Sequence, residues 1–409
     1  MHSATLTRVH ATPAIDAGRK VKRLTSIDLL RGAIMIIMAL DHVRDYFHRD
    51  VFFYSPTDLT QTSVPLFFTR WITHYCAPVF VFLAGVSAYL YGVKKGKAAL
   101  SFFLWTRGAW LILVELFVLS LFKTFNPSYP YFNLQVIWAI GICMIVLSSL
   151  IYLNARLILL IAVLLIAGHN LLDGVHVPND SSFLFIWSVV HEVRQFTIGP
   201  FVVNVQYPVL AWIGVILLGY YLGRLFDLAY DPVKRKNQLL QMGVGAIVLF
   251  VLLRSEHWYG DPVDWSMQKN AIFSLLSFLN VNKYPPSLLY ILVTLGPALI
   301  FLALAEKPVN KLTARISVFG RVPMFYYLMH LLLIHLAALL GAILQGFKLQ
   351  DMILTKAVYN SPQLKGYGYN LVIVYVIWIA LVLVLYPLCK WFDHYKRANT
   401  GRYWWLSYL

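Results

Sequence analysis

Charge is scarce in this chain. Only 13% of its 409 residues are Asp, Glu, Lys or Arg, about half the share in an average soluble domain. Hydrophobic residues make up 59%, and the mean hydropathy is +0.67. So little polar surface cannot coat a soluble globule of this size, and the same figures exclude disorder, collagen and coiled coil. Cysteine is nearly lacking as well. Cys76, Cys143 and Cys389 lie far apart inside apolar runs. No CxxC spacing occurs, so neither a disulfide framework nor a cysteine zinc site is expected, and each reads as a small packing residue. Also missing are a GxSxG elbow, a Walker loop and HExxH, which removes support for a serine hydrolase, a P-loop NTPase or a zincin. No metal is expected.

Acidic residues are outnumbered 18 to 34 by Lys and Arg. In a soluble protein that surplus would suggest nucleic acid. Membrane proteins, however, concentrate Lys and Arg on the cytoplasmic side, so no nucleic-acid partner is expected.

What the chain has instead is long apolar runs. Ten stretches approach the roughly 20 residues needed to span a bilayer: about 26–47, 66–92, 100–122, 134–153, 156–172, 207–226, 238–253, 286–305, 322–345 and 370–392. They are too long for barrel strands, so all are read as helices. With the N-terminus inside, cytoplasmic segments hold 21 Lys/Arg and the opposite loops 10, which places both termini in the cytoplasm. The first 25 residues are basic, and no A-x-A site follows the first run, which reads as an uncleaved span. The expectation is an all-α polytopic membrane protein of about ten transmembrane helices. Residues 1–25 form a cytoplasmic tail, 26–393 a single transmembrane domain and 394–409 a second cytoplasmic tail. The long external loops, 173–206 and 254–285, look too small for separate domains. No internal repeat is visible, which weighs against inverted-repeat transporter folds.

Several spans carry ionisable groups, which cost roughly 2.5–3.5 kcal/mol at the bilayer centre and so call for a function or a partner. In "SIDLLRGAIMIIMALDHVRDYFH", Asp28 and Arg31 are three apart, and Asp41 and Arg44 repeat the spacing. Arg31 and His42 project from nearly the same face, separated by roughly 16 Å along the axis at 1.5 Å per residue. In the second span Arg70 and His74 share a face at the depth of His42, and Pro78 permits a kink. Glu115 is a lone carboxylate that needs a cationic or hydrogen-bonding partner, which Arg107, an arginine of another helix or a histidine would supply. His330 follows Tyr326 and Tyr327 by one turn, and His335 lies further round the same helix. Five histidines (His42, His74, His169, His330 and His335) in the central or outer parts of spans point to a shared polar cavity. Histidine suits proton transfer near neutrality. The alternatives are an enzyme that deprotonates a hydroxyl or amine attacking a carbonyl, and a proton-coupled transporter or flippase of a sugar or small anion.

"SIDLLRGAIMIIMALDHVRDYF", "THYCAPVFVFLAGVSAYLYG", "NLQVIWAIG", "YPVLAWIGVILLGYYLG" and "GRVPMFYYLMHLLLIH" together resemble bacterial members of the heparan-α-glucosaminide N-acetyltransferase-like family. The ten residues between Arg31 and His42 also resemble the motif of the acyltransferase-3 family. The resemblance implies a multi-pass protein of the bacterial inner membrane. It implies transfer of an acyl group, typically acetyl, from cytosolic acetyl-CoA to a sugar or glycan across the membrane. By order along the chain the family's catalytic histidine matches His48, whereas the acyltransferase-3 spacing matches His42.

His42 is the first choice of general base, with His74 or Asp41 orienting it and His48 the competing assignment. Arg31, Gln135, Glu115 and His330 are the candidates for the acyl-CoA side. The lysines 94, 95 and 97 are further phosphate candidates. Direct transfer and an acyl-histidine intermediate both fit. The partners expected are acyl-CoA, a sugar or glycan acceptor and membrane lipid, with a homodimer left open.

Overall fold

The computed structural model describes residues 25–306 and 310–408. The basic tail read over residues 1–25 lies almost wholly outside the described residues. In chain order come helix α1 (Thr25–Phe47), α2 (Val64–Trp71), α3 (Cys76–Lys95), α4 (Lys97–Leu113) and α5 (Ser120–Thr124), then strand β1 (Tyr131–Leu134). Helices α6 (Val136–Leu150), α7 (Ala155–Gly168) and α8 (Leu184–Val190) follow, with strands β2 (Arg194–Ile198) and β3 (Phe201–Val205). The remainder is helical: α9 (Leu210–Leu222), α10 (Pro232–Glu256), α11 (Ala271–Leu279), α12 (Leu288–Leu304), α13 (Lys311–Arg321), α14 (Pro323–Leu344) and α15 (Leu371–Ala398).

Among the described residues, six helical stretches are long and apolar enough to cross a membrane: Val64–Lys95, Lys97–Thr124, Ala155–Leu172, Pro232–Glu256, Pro323–Leu344 and Leu371–Ala398. Val136–Leu150, Leu210–Phe226 and Leu288–Leu304 are apolar but shorter. Helix α1 has 23 residues and carries Asp28, Arg31, Asp41, Arg44 and Asp45. It is nonetheless central, with Leu30, Ile34, Met38 and Val43 buried and with α3, α12, α13, α14 and α15 packed around it. Only 17% of the α15 window and 22% of the α10 window is buried, so these helices turn most of their surface to lipid.

Three departures from the sequence reading have local causes. The 66–92 run is not one helix. It breaks into α2, a 3-10 turn (Ile72–Tyr75) and α3. Pro78 has no N–H to offer the carbonyl four residues back, and the Tyr290 hydroxyl donates to that His74 carbonyl instead, at 2.7 Å. The mostly helical chain also contains a small sheet, ordered β1–β3–β2. Its β1–β3 pair is parallel with Tyr131 opposite Val202, and its β2–β3 pair is antiparallel with Arg194 opposite Val205. These strands are four or five residues long, too short to stand out beside the long apolar runs. The loop 254–285 holds α11, capped by Asn270, whose side chain accepts from the Phe273 N–H at 2.9 Å.

Glycine lets the helices approach closely where the site is built. A Cβ on Gly85 of α3 would lie 2.1 Å from the Ile216 carbonyl of α9, and one on Gly219 would lie 2.1 Å from the Phe82 carbonyl. Small residues facing each other in this way are the usual means of close packing between apolar helices. Gly219→Val should therefore lower the thermal midpoint of the detergent-solubilised protein sharply, since overpacking costs about 1–3 kcal/mol or more. Gly245→Ala, with no atom within 4 Å of the added Cβ, should leave it unchanged or slightly raised. Equal midpoints for the two variants would contradict the close approach.

Candidate active site

Helical spacing puts Met38, Asp41, His42 and Asp45 on one face of α1, where they line a cavity of about 470 Å³. Arg70, Thr73, Ala77 and Phe80 form the facing wall through the α2–α3 break, and Lys283, Tyr284, Tyr327 and Tyr359 close it. Both carboxylates are committed to arginines. Asp41 accepts from Arg70 Nη1 at 2.8 and 2.6 Å and lies 2.9 Å from Arg44 Nη1, while Arg44 Nη2 donates to Asp45 at 2.5 Å. The expected i,i+3 pairing of Asp41 with Arg44 is present, and Arg70 joins it from the second run.

His42 is differently placed. Its ring lines the cavity, and among the described residues no protein hydrogen bond engages its nitrogens. The His330 ring lies 5.2 Å away and the Tyr327 ring 6.5 Å, edge to face. His330 Nδ1 is bonded to the Tyr326 carbonyl at 3.1 Å, and its Nε2 is buried with no partner. The histidine beside His42 is thus His330, which does not itself line the cavity. Asp41 makes no hydrogen bond to His42 among the described residues, and its oxygens face two guanidinium groups. His74 lies against Tyr290, ring centroids 5.6 Å apart, and does not line the cavity.

A second cavity, of about 340 Å³, lies towards the other end of α1. Arg31, Arg107, Arg321 and Lys396 line it, and Phe80 and Tyr327 belong to both cavities. Arg31 donates to the Gly320 carbonyl at 3.1 Å and to Ser87 Oγ at 3.0 Å, and it lies 3.6 Å from Asp28, its expected partner. Arg321 donates to Asp393 at 2.8 Å. Arg321 and Lys396 were not singled out by sequence, because each sits at a helix end where a cation looks like an ordinary interface residue. The lysines 94, 95 and 97 instead ring the exposed α3–α4 turn and line neither cavity.

Glu115 and Gln135 belong to a third cluster, beside His42. Glu115, 1% exposed, accepts from Lys123 Nζ at 2.7 Å. Lys123 also donates to Gln135 Oε1 at 2.6 Å, and Gln135 Nε2 donates to Gln206 at 2.9 Å. Gln135 lines the His42 cavity and not the second one. The partner of Glu115 is Lys123 and not one of the arginines or histidines considered. In a regular helix positions eight apart diverge by roughly 80°, but Val114–Leu119 is a π-helical turn whose extra residue brings the two onto one face.

The remaining histidines do not join a shared cavity. His169 bonds the Pro286 carbonyl at 2.7 Å, and His335 bonds those of Phe122 and Met352 at 2.9 and 3.0 Å, so both tie segments together. His48 lies beyond the end of α1, 5% exposed, with Nε2 3.9 Å from Asp50. Burial pushes its imidazole below the usual value, and it lines none of these cavities.

Removing one member of a buried ion pair strands the other, at about 3–5 kcal/mol, whereas replacing both can be near neutral. Lys123→Met should thus destabilise the protein strongly, and the double variant Glu115→Leu with Lys123→Met should recover much of the loss. Thermal unfolding in detergent measures this. A double variant no better than Lys123→Met alone would deny the pairing.

The family model described as heparan-alpha-glucosaminide N-acetyltransferase, catalytic, matches residues 23–256. No curated protein matches the chain. The match spans more than half of the sequence and takes in Arg31, His42, Arg70, Phe80 and Arg107. The chain belongs to the heparan-alpha-glucosaminide N-acetyltransferase family and is a membrane acetyltransferase.

Proposed function

We propose that the protein carries an acetyl group across the membrane, from acetyl-CoA in the inner cavity to a sugar acceptor in the outer one, with His42 as general base. The observation that carries this reading is the shared wall: Phe80 and Tyr327 line both cavities, one basic and one containing His42. Each cavity falls within the roughly 300–1,000 Å³ usual for small-molecule sites. In this reading ten helical stretches cross the bacterial inner membrane, with both termini in the cytoplasm. The six long helices, the three shorter ones and α1 are those crossings.

The pyrophosphate and 3′-phosphate of the donor would face Arg31, Arg107, Arg321 and Lys396, which supply charge-assisted bonds. Its pantetheine arm would run along α1 towards Phe80 and Tyr327. Arg31 and His42 are eleven residues apart on a continuous helix, or roughly 16 Å, a distance an extended arm bridges. The acceptor's hydroxyl or amine attacks the thioester carbonyl and gives its proton to a ring nitrogen of His42. The C–S bond breaks, and the proton passes on to the leaving thiolate. His330 holds the His42 ring, while Asp41 and Arg70 fix the wall opposite.

His42→Ala should reduce acceptor-dependent release of CoA by about 10²–10⁴-fold, the usual contribution of a general base, in protein that still purifies as a monodisperse species. His48→Ala should change the rate little. Loss with His48→Ala and retention with His42→Ala would reverse the assignment. Isothermal titration with CoA addresses the donor side. Arg107→Gln should weaken CoA binding several-fold and Lys95→Gln should not, and the opposite ranking would move the phosphates to the exposed turn.

A further inference from the structure

Five charged side chains line the outer cavity: Asp41, Asp45, Arg44, Arg70 and Lys283. The four from α1 and α2 neutralise one another in one connected set. Lys283 is left over. It lies in the segment between α11 and α12, is only 8% exposed, and lines the cavity. Among the described residues it has no hydrogen bond and no ion pair, and its ammonium is only 5.3 Å from the Tyr284 ring centroid. Cation–π contact of that kind compensates desolvation in part. A buried cation without a counter-ion is costly and is retained where something else supplies the negative charge.

The two carboxylates of the lining are already balanced by two arginines. Asp41 is already shared between Arg70 and Arg44, and Asp45 is held by Arg44. The same cavity is also lined by the polar, uncharged Gln206, Tyr207, Tyr284 and Asn360. Leaving His42 aside, the lining therefore carries one positive charge in excess. A ligand that brings an anion would neutralise it, whereas an ammonium group would meet repulsion at close range.

We propose that Lys283 is the anion-recognition residue of the acceptor site, so that the acceptor carries a carboxylate or phosphate near the group that is acetylated. This rests on the reading of the outer cavity as the acceptor site. The lysine lies outside the segment matched by the family model, residues 23–256. Tyr207 and Tyr284, with ring centroids 5.2 Å apart, offer hydroxyls and ring faces for a sugar beside the anion.

The test uses the full-length protein in detergent without acetyl-CoA, titrated calorimetrically with glucose, glucuronate and glucose 6-phosphate. At least one anionic sugar should bind tenfold or more tightly than glucose, and the stronger of the two identifies carboxylate or phosphate as the group recognised. Lys283→Gln should abolish that preference and Lys283→Arg should retain it, each checked as monodisperse. Equal binding of all three sugars, binding of none, or a preference surviving in Lys283→Gln would overturn the proposal. CoA release is measured separately. Anion binding in a protein that never consumes acetyl-CoA would remove the transferase reading and leave the anion subsite standing.

Discussion

Every charged group within the apolar part of this chain must find a partner, and that requirement shapes the site. Apolar surroundings leave no water to share the charge, so an unpaired group is expensive. Asp41 is held by Arg70 and Arg44, Glu115 by Lys123, and Arg31 by Asp28, Gly320 and Ser87. Each pairing ties helices or turns of different sequence position to one another. Arg70 binds the α2–α3 break to α1, Arg31 binds α1 to α3 and to the end of α13, and Lys123 binds the π-turn to the start of α6 through Gln135. The pairs thereby act as fasteners and leave their neighbours, His42 and Lys283, facing the cavity.

The backbone irregularities fall at the same places. The 3-10 turn before Pro78 frees the His74 carbonyl, and Tyr290 takes it. That break turns Arg70 and Thr73 towards α1 while Phe80 sits one helical stretch deeper, between the two cavities. The π-turn at Val114–Leu119 swings Lys123 over Glu115. Regular helices would have kept both cations on other faces. Irregular backbone of this kind is tolerated at membrane depth only where protein supplies the missing hydrogen bonds.

The acetyltransferase assignment gives these features a common purpose. The reaction proposed above, which joins reactants from two sides of a membrane, would need a route for the acyl group and a barrier against free passage. A basic cavity and a second one containing His42, with Phe80 and Tyr327 in the lining of both, would suit both needs. In that proposal the charge of Lys283 bears on which acceptor the His42 cavity takes, not on how the acetyl group arrives.

Much of this was legible in the sequence. The apolar runs, the pairing of Asp28 with Arg31 and of Asp41 with Arg44, and His42 on the face of Arg31 follow from helical period and from hydropathy, which act locally. The family, too, was legible in the motifs around Arg31 and His42. The third dimension decided which polar groups meet. His330 and not His74 lies beside His42, Lys123 and not an arginine satisfies Glu115, and Gln135 belongs to the outer cavity. Arg321, Lys396 and Lys283 come from the last third of the chain or near it, and each alone looks like an interface cation. Their roles depend on which helices pack together, and that is set by glycine contacts such as Gly85 with Gly219 and by breaks in helical phase. A periodic pattern states which face of a helix is polar; only packing selects the partner that the face will meet.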